Sequence, residues 1–225
     1  MRKSRSKSKV RSKSKVRLKS KSKSKSNKSK SDNTALLIID MQYDFLEGGS
    51  LAVAGGNSII EKINKLRDKY GCIVLSKDWH PVNHVSFAQT HGKPVFTLMG
   101  SQMLWPVHCV QNSHGAEIHK DIVVKKGDII VEKGTHLNRD SYSAFFDNDH
   151  KSQTKLDKIL KSKNIKAVDV CGLAYDYCVG YTALDAHKLG YKTRVIKYAS
   201  AAVNADSAAK MSSNLKKSKI KIVEK

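Results

Sequence analysis

Three apolar runs constrain the fold of this chain more than any other feature. Thr34-Ala35-Leu36-Leu37-Ile38-Ile39, Cys72-Ile73-Val74-Leu75 and Ala167-Val168-Asp169-Val170 carry no regular apolar-polar alternation. A strand with one wet face alternates, so runs of this kind predict strands covered on both faces, as in a parallel sheet flanked by helices. Helical patterns lie between them. Ser58-Ile59-Ile60-Glu61 has the spacing of a capping box, Ile59, Ile60, Ile63 and Leu66 form an apolar stripe, and Gly71 is placed to end that helix. Leu156, Ile159 and Leu160 mark a second helix entered at Thr154; Gly180 to Leu189 and the Ala-rich Asn204 to Asn214 read as two more. Ile122-Val123-Val124, Ile129-Ile130-Val131, Arg194-Val195-Ile196 and Ile220-Lys221-Ile222-Val223 read as further strands. Strand and helix in alternation predict a three-layer α/β/α fold with a mostly parallel central sheet.

Charge divides the chain. Of the formal net charge of +22, residues 1–31 supply +15 through 15 Lys/Arg and no acid, leaving +7 for the rest. The near-alternating Lys-Ser sequence cannot bury enough apolar surface to offset its ordering entropy and is expected to be disordered. Such a tail suits a nuclear-localisation signal, a nucleic-acid or acidic-surface contact, an array of phosphorylation sites, or a solvated extension without a dedicated role. Residues 32–225 are enough for one domain with a substantial core. No run has the roughly 18–20 apolar residues of a membrane span, and no apolar signal-peptide core is evident. The four cysteines, Cys72, Cys109, Cys171 and Cys178, form no CxxC pair. An intracellular setting, cytoplasmic or nuclear, is expected, with a homo-oligomer among the compatible assemblies.

The ends of the strands carry the chemistry. Asp40 ends the first strand, Lys133 follows a middle one, and Cys178 lies just past Ala167–Val170, where a helix begins. In open parallel sheets ligands bind at the C-terminal rim, so these three side chains converge. The partial positive charge of a helix N-terminus is expected to lower a thiol pKa, which favours Cys178 as a nucleophile. Each residue alone has an ordinary alternative: a buried free cysteine, a turn-capping Asp, a solvated Lys. The combination of acid, ammonium and thiol is what points to catalysis. A second group is Asp78-Trp79-His80-Pro81-Val82-Asn83-His84, with His108 further on. An Asp and two His around a metal with open positions is a catalytic rather than a structural arrangement.

Five motifs in register carry a resemblance. They are Ile39-Asp40-Met41-Gln42-x-Asp44-Phe45, Asp78-Trp79-His80-x-x-x-His84-x-Ser86-Phe87, Trp105-Pro106-x-His108-Cys109-Val110, Lys133-Gly134-Thr135 and Gly172-Leu173-Ala174-x-Asp176-x-Cys178-Val179. The chain resembles the isochorismatase-like cysteine hydrolases, in their nicotinamidase/pyrazinamidase branch. The resemblance implies a catalytic triad of Asp40, Lys133 and Cys178. It implies one divalent metal ion on Asp78, His80 and His108, with His84 as a candidate fourth ligand; zinc is foremost, with iron and manganese as alternatives. Phe45 and Trp105 match the walls that sandwich the substrate ring, joined by Tyr142, and Tyr177 stands beside the thiol where several relatives carry another polar residue. The Leu173–Ala174 bond matches a position that is cis in the family, aiming the amides of Ala174 and Cys178 at an oxyanion. The implied reaction is hydrolysis of nicotinamide to nicotinate and ammonia through a thioester, in NAD salvage. Two rival readings are another small-amide or carbamoyl hydrolase on the same scaffold, and a nucleic-acid-associated protein acting through its tail.

Overall fold

The computed structural model describes Met1 and residues 33–225; the basic tail expected over residues 1–31 falls, Met1 apart, outside them. Eight strands and four α-helices are formed among the described residues: β1 Thr34–Ile39, α1 Ile60–Arg67, β2 Cys72–Asp78, β3 Leu98–Met99, β4 Gln102–Met103, β5 Ile129–Lys133, α2 Leu156–Ser162, β6 Ala167–Leu173, α3 Gly180–Lys188, β7 Lys192–Ala201, α4 Ala205–Lys217 and β8 Lys221–Val223. Six strands form one sheet in the order β5-β2-β1-β6-β7-β8, and β3 and β4 make a separate small hairpin. Every pairing in the large sheet is parallel, so the expected three-layer α/β architecture is found.

The continuous runs explain this sheet. Leu36 and Ile38 point into one buried cluster with Ile63 and Leu66 of α1, while Leu37 and Ile39 point into the other with Ala183, Met211 and Leu215 of α3 and α4. Successive side chains alternate between faces, so a strand apolar at every position needs a packed layer on each. From β1 the chain winds outward through β2 to β5, then returns to β6 on the other side of β1. That reversal opens a crevice beyond the C-terminal ends of β1 and β6, where such sheets bind ligands. Gly172 lets the two strands close up there: its φ is +114° and a Cβ would collide with the backbone of Ile39.

Some local expectations fail, each for a tertiary reason. Ile122–Val124 is no strand, because residues 129–133 take the only open edge of β2. Ile122 instead packs inward against the α1 side of the core, and the Val123 amide donates to the Asn64 side chain at 2.9 Å. The capping box does not close: Ser58 donates to the Gly55 carbonyl at 2.7 Å, and α1 starts through a 3-10 turn at Asn57–Ile59. Gly71 does not terminate α1, which ends at Arg67. The expected Thr154 entry to α2 does form, with its hydroxyl accepting from the Leu156 amide at 3.1 Å.

Candidate active site

Asp40, Lys133 and Cys178 meet at the C-terminal rim, as the strand ends predict. Asp40 follows β1 and Lys133 is the last residue of β5, beside Asp78 at the end of β2. Cys178 lies past β6 in a π-helical turn, Tyr175–Val179, that runs straight into α3. Lys133 is fully buried, and its Nζ donates to Asp78 Oδ1 at 2.6 Å, the Ser141 carbonyl at 2.9 Å and Cys178 Sγ at 3.4 Å. These three bonds use all the donors of an ammonium. Asp40 Oδ2 lies 2.9 Å from the same nitrogen but has no partner in hydrogen-bond geometry. The other oxygen of Asp40 accepts from Ser76 Oγ at 2.6 Å.

The electrostatics differ from the sequence expectation of a lowered thiol pKa. Burial pushes the Cys178 thiol well above its ordinary value; Lys133 opposes the shift, and Asp40 and Asp78 reinforce it. The helix-terminus effect is outweighed because the thiol is dry and faces two carboxylates. Burial also raises Asp40, with Lys133 pulling it down. Asp78 is lowered: burial resists, but Lys133, His80 and His108 prevail. A thiol shifted toward its neutral form thus lies beside a carboxylate shifted toward greater basicity.

On the other side of Asp78 stand the histidines. Asp78 Oδ2 lies 3.6 Å from His80 Nε2 and 3.9 Å from His108 Nε2. His80 Nδ1 donates to the Gly134 carbonyl at 2.9 Å and His108 Nδ1 to the Pro106 carbonyl at 2.7 Å. A proton on Nδ1 leaves Nε2 of each ring as the nitrogen open to a metal, and both Nε2 lie close to Asp78 Oδ2. Burial and the nearby His80 push His108 down to about 4, so it is neutral at pH 7. His80 goes the other way: burial opposes, and the Asp78 carboxylate prevails. These donor atoms lie within 4.8 Å of one another and fit a divalent ion. Gly134 makes room, since a Cβ there would overlap the His80 ring. His84 stacks on His80 with ring centroids 4.1 Å apart, and both its nitrogens are engaged, by Ser86 Oγ at 2.7 Å and the Arg139 carbonyl at 2.9 Å.

Between thiol and histidines opens a pocket of about 430 Å³, its mouth included, lined in part by Phe45, Asp78, Trp105, His108, Tyr142 and Cys178. The four aromatic residues expected there all line it. Trp105 meets Tyr177 edge-on at 5.0 Å and donates its indole N–H to Tyr142 Oη at 3.3 Å. Phe45 packs 5.4 Å from the His108 ring. Ala174 also lines the pocket, and the Leu173–Ala174 peptide is cis.

Sequence reasoning missed several contributors. Gln42 brackets Asp78, accepting from its amide at 2.8 Å and donating to its carbonyl at 2.8 Å. Asp176 ties the Cys178 turn to the start of α4, accepting from the amides of Val203 at 2.9 Å and Asn204 at 3.2 Å. Val203 thereby becomes a pocket wall. Ser76 and the Ser141 carbonyl were also unforeseen. Gln42 and Asp176 stood in the quoted motifs without a role, and Ser76 had a signal of its own: a hydroxyl inside an apolar strand, two residues before Asp78 and so on the same face.

Residues 34–224 match the isochorismatase domain model. A nicotinamidase of Acinetobacter baylyi is 43% identical over 182 residues, 79% of this chain and 85% of that protein. A nicotinamidase of Escherichia coli is 46% identical over 170 residues, covering 72% and 80%. Among solved structures, a nicotinamidase/pyrazinamidase of Acinetobacter baumanii superposes with a TM-score of 0.83 at 42% identity, over 85% of this chain and 96% of that one. PnC1 from L. infantum in complex with nicotinate gives 0.77 at 37%, over 86% and 93%. A pyrazinamidase of Pyrococcus horikoshii in complex with zinc gives 0.73 at 36%, over 86% and 99%. With residues 34–224 matching the domain model and its sheet superposing on these relatives, this chain belongs to the isochorismatase family.

Proposed function

We propose that this protein is a nicotinamidase, hydrolysing nicotinamide to nicotinate and ammonia through a thioester on Cys178, within NAD salvage. One observation carries the reading: the contact of Lys133 with Asp40, Asp78 and Cys178 at the floor of an aromatic-walled pocket. Nicotinamidases among the relatives and a nicotinate-bound structural neighbour support the choice of ring and amide.

Phe45, Trp105 and Tyr142 would hold the pyridine ring, with Tyr177 closing the side next to the thiol. Asp40 Oδ2 accepts the thiol proton as sulfur attacks the carboxamide carbon. Burial favours this transfer, because a carboxylate raised toward neutrality is a stronger base. The amides of Ala174 and Cys178 donate to the tetrahedral oxyanion; losing one such donor typically costs about 2.7–4 kcal/mol of barrier. Asp40 returns the proton to nitrogen as the C–N bond breaks, and ammonia leaves the acyl group on sulfur. Asp40 next takes a proton from water, which attacks the thioester; nicotinate departs and the thiol is restored. Lys133 keeps Asp40 and Asp78 from repelling one another throughout. Asp78, His80 and His108 would hold a divalent ion, zinc foremost, which supplies a Lewis-acid contact to the pyridine nitrogen. His84 is assigned a packing role against His80.

The test is ammonia release from nicotinamide by purified protein. Cys178→Ala and Asp40→Ala should each lose at least about a thousandfold in turnover while keeping the native circular-dichroism spectrum. A Cys178→Ala protein that retains its rate removes the thioester from the reading.

A further inference from the structure

The base of the triad has a support of its own. Asp40 sits just beyond β1 with φ at +48°, a left-handed conformation uncommon for a residue with a side chain. Its side chain is fully buried, where a free carboxylate would turn about its last torsion. Lys133 pairs with Oδ2 at 2.9 Å, but its ammonium is shared with Asp78, the Ser141 carbonyl and Cys178. The short hydrogen bond on the Asp40 carboxylate comes from Ser76 Oγ, 2.6 Å from Oδ1, while Lys133 Nζ pairs with the other oxygen. The same hydroxyl oxygen accepts from the Asp40 amide at 3.2 Å. One side chain on β2 therefore ties both the backbone and the carboxylate of the residue that ends β1.

We infer that Ser76 is the positioning residue of the base: its hydroxyl fixes Oδ1, and so leaves Oδ2 as the oxygen that faces the thiol. The inference rests on the reading of Asp40 as the proton acceptor. Ser76 is almost fully buried and does not line the pocket, so it has no route to the substrate except through Asp40. Its contribution belongs to the chemical step and not to binding. Without the hydroxyl, Oδ1 becomes an unpartnered buried oxygen, and the carboxylate is free to turn away from sulfur. Threonine keeps the hydroxyl and suits a strand position, whereas alanine and valine do not supply it.

The experiment compares Ser76→Ala, Ser76→Val and Ser76→Thr with the parent protein, with Asp40→Asn as reference, by steady-state ammonia release from nicotinamide and by thermal melting. Ser76→Ala and Ser76→Val should lose roughly ten- to a hundredfold in kcat with KM within about twofold, and Ser76→Thr should recover most of the rate. Equal losses in Thr and Ala variants, a loss carried by KM, or an unchanged kcat in Ser76→Ala would overturn the inference. If Asp40→Asn itself keeps the parent rate, the assignment of the base fails, and the role of Ser76 falls with it. If Asp40→Asn is inactive while Ser76→Ala is fully active, the base stands and only the inference is lost.

Discussion

Two buried carboxylates on neighbouring central strands meet opposite fates. Asp169 lies in the middle of β6, 1% exposed, and both its oxygens are used. Arg194 Nε donates to Oδ1 at 2.6 Å, while Arg194 Nη2 and the Tyr70 hydroxyl both reach Oδ2. Burial and Asp169 together push the Tyr70 hydroxyl pKa upward, which keeps it a donor. Asp40, just past the end of β1, is equally dry, yet one of its oxygens lacks a hydrogen bond and the nearest ammonium is shared with Asp78 and a thiol. A buried charge with every lone pair satisfied behaves as a fixed part of the fold, whereas one left short remains available to take a proton. Folding stability could have been served by two sites of the first kind, and the incomplete one is where the proposed chemistry lies.

That contrast can be broken by exchanging the two sites' defects. The largest effect is expected from Lys133→Met, which leaves Asp40 and Asp78 facing each other without a counter-charge. Turnover should fall at least about a thousandfold, and denaturant melts should show about 3–5 kcal/mol of lost stability. Removing the proposed metal should act on orientation alone. Dialysis against a strong chelator is expected to lower kcat/KM for nicotinamide roughly a hundredfold, with recovery on adding zinc, iron or manganese back. The smallest effect on activity is expected at the saturated site. Arg194→Met should destabilise the protein by about 3 kcal/mol in the same melts, yet leave turnover per folded molecule within about twofold. Equal activity losses at Lys133 and Arg194 would erase the distinction between the two carboxylates.

The strand-end residues were readable because their geometry follows from topology. Once β1, β2, β5 and β6 are parallel, whatever ends each strand lies on one rim, so Asp40, Asp78, Lys133 and Cys178 are brought together by connectivity before any side chain is packed. The motif around Leu173 and Ala174 likewise carried its turn into the structure. Ile122–Val124 shows the limit of such reading. Three β-branched residues are a fair strand signal, but the edge they needed was already filled by residues 129–133. Ser58 shows it at smaller scale, where a capping spacing was present and the hydroxyl found a nearer carbonyl.

The apolar runs that demand two-sided burial, the order of strands and helices, and the acid, lysine, histidines and thiol at their ends are all set along the chain. Those depend on local pattern, and local pattern is written residue by residue. The electrostatics of the site come from packing in three dimensions. The raised thiol, the Ser76 bond that orients Asp40, the Gln42 bracket on Asp78 and the division of Lys133 among its partners all arise from contacts between distant segments in a dry interior. Burial and charge there act over a few ångströms of space, and separation along the chain does not report that distance.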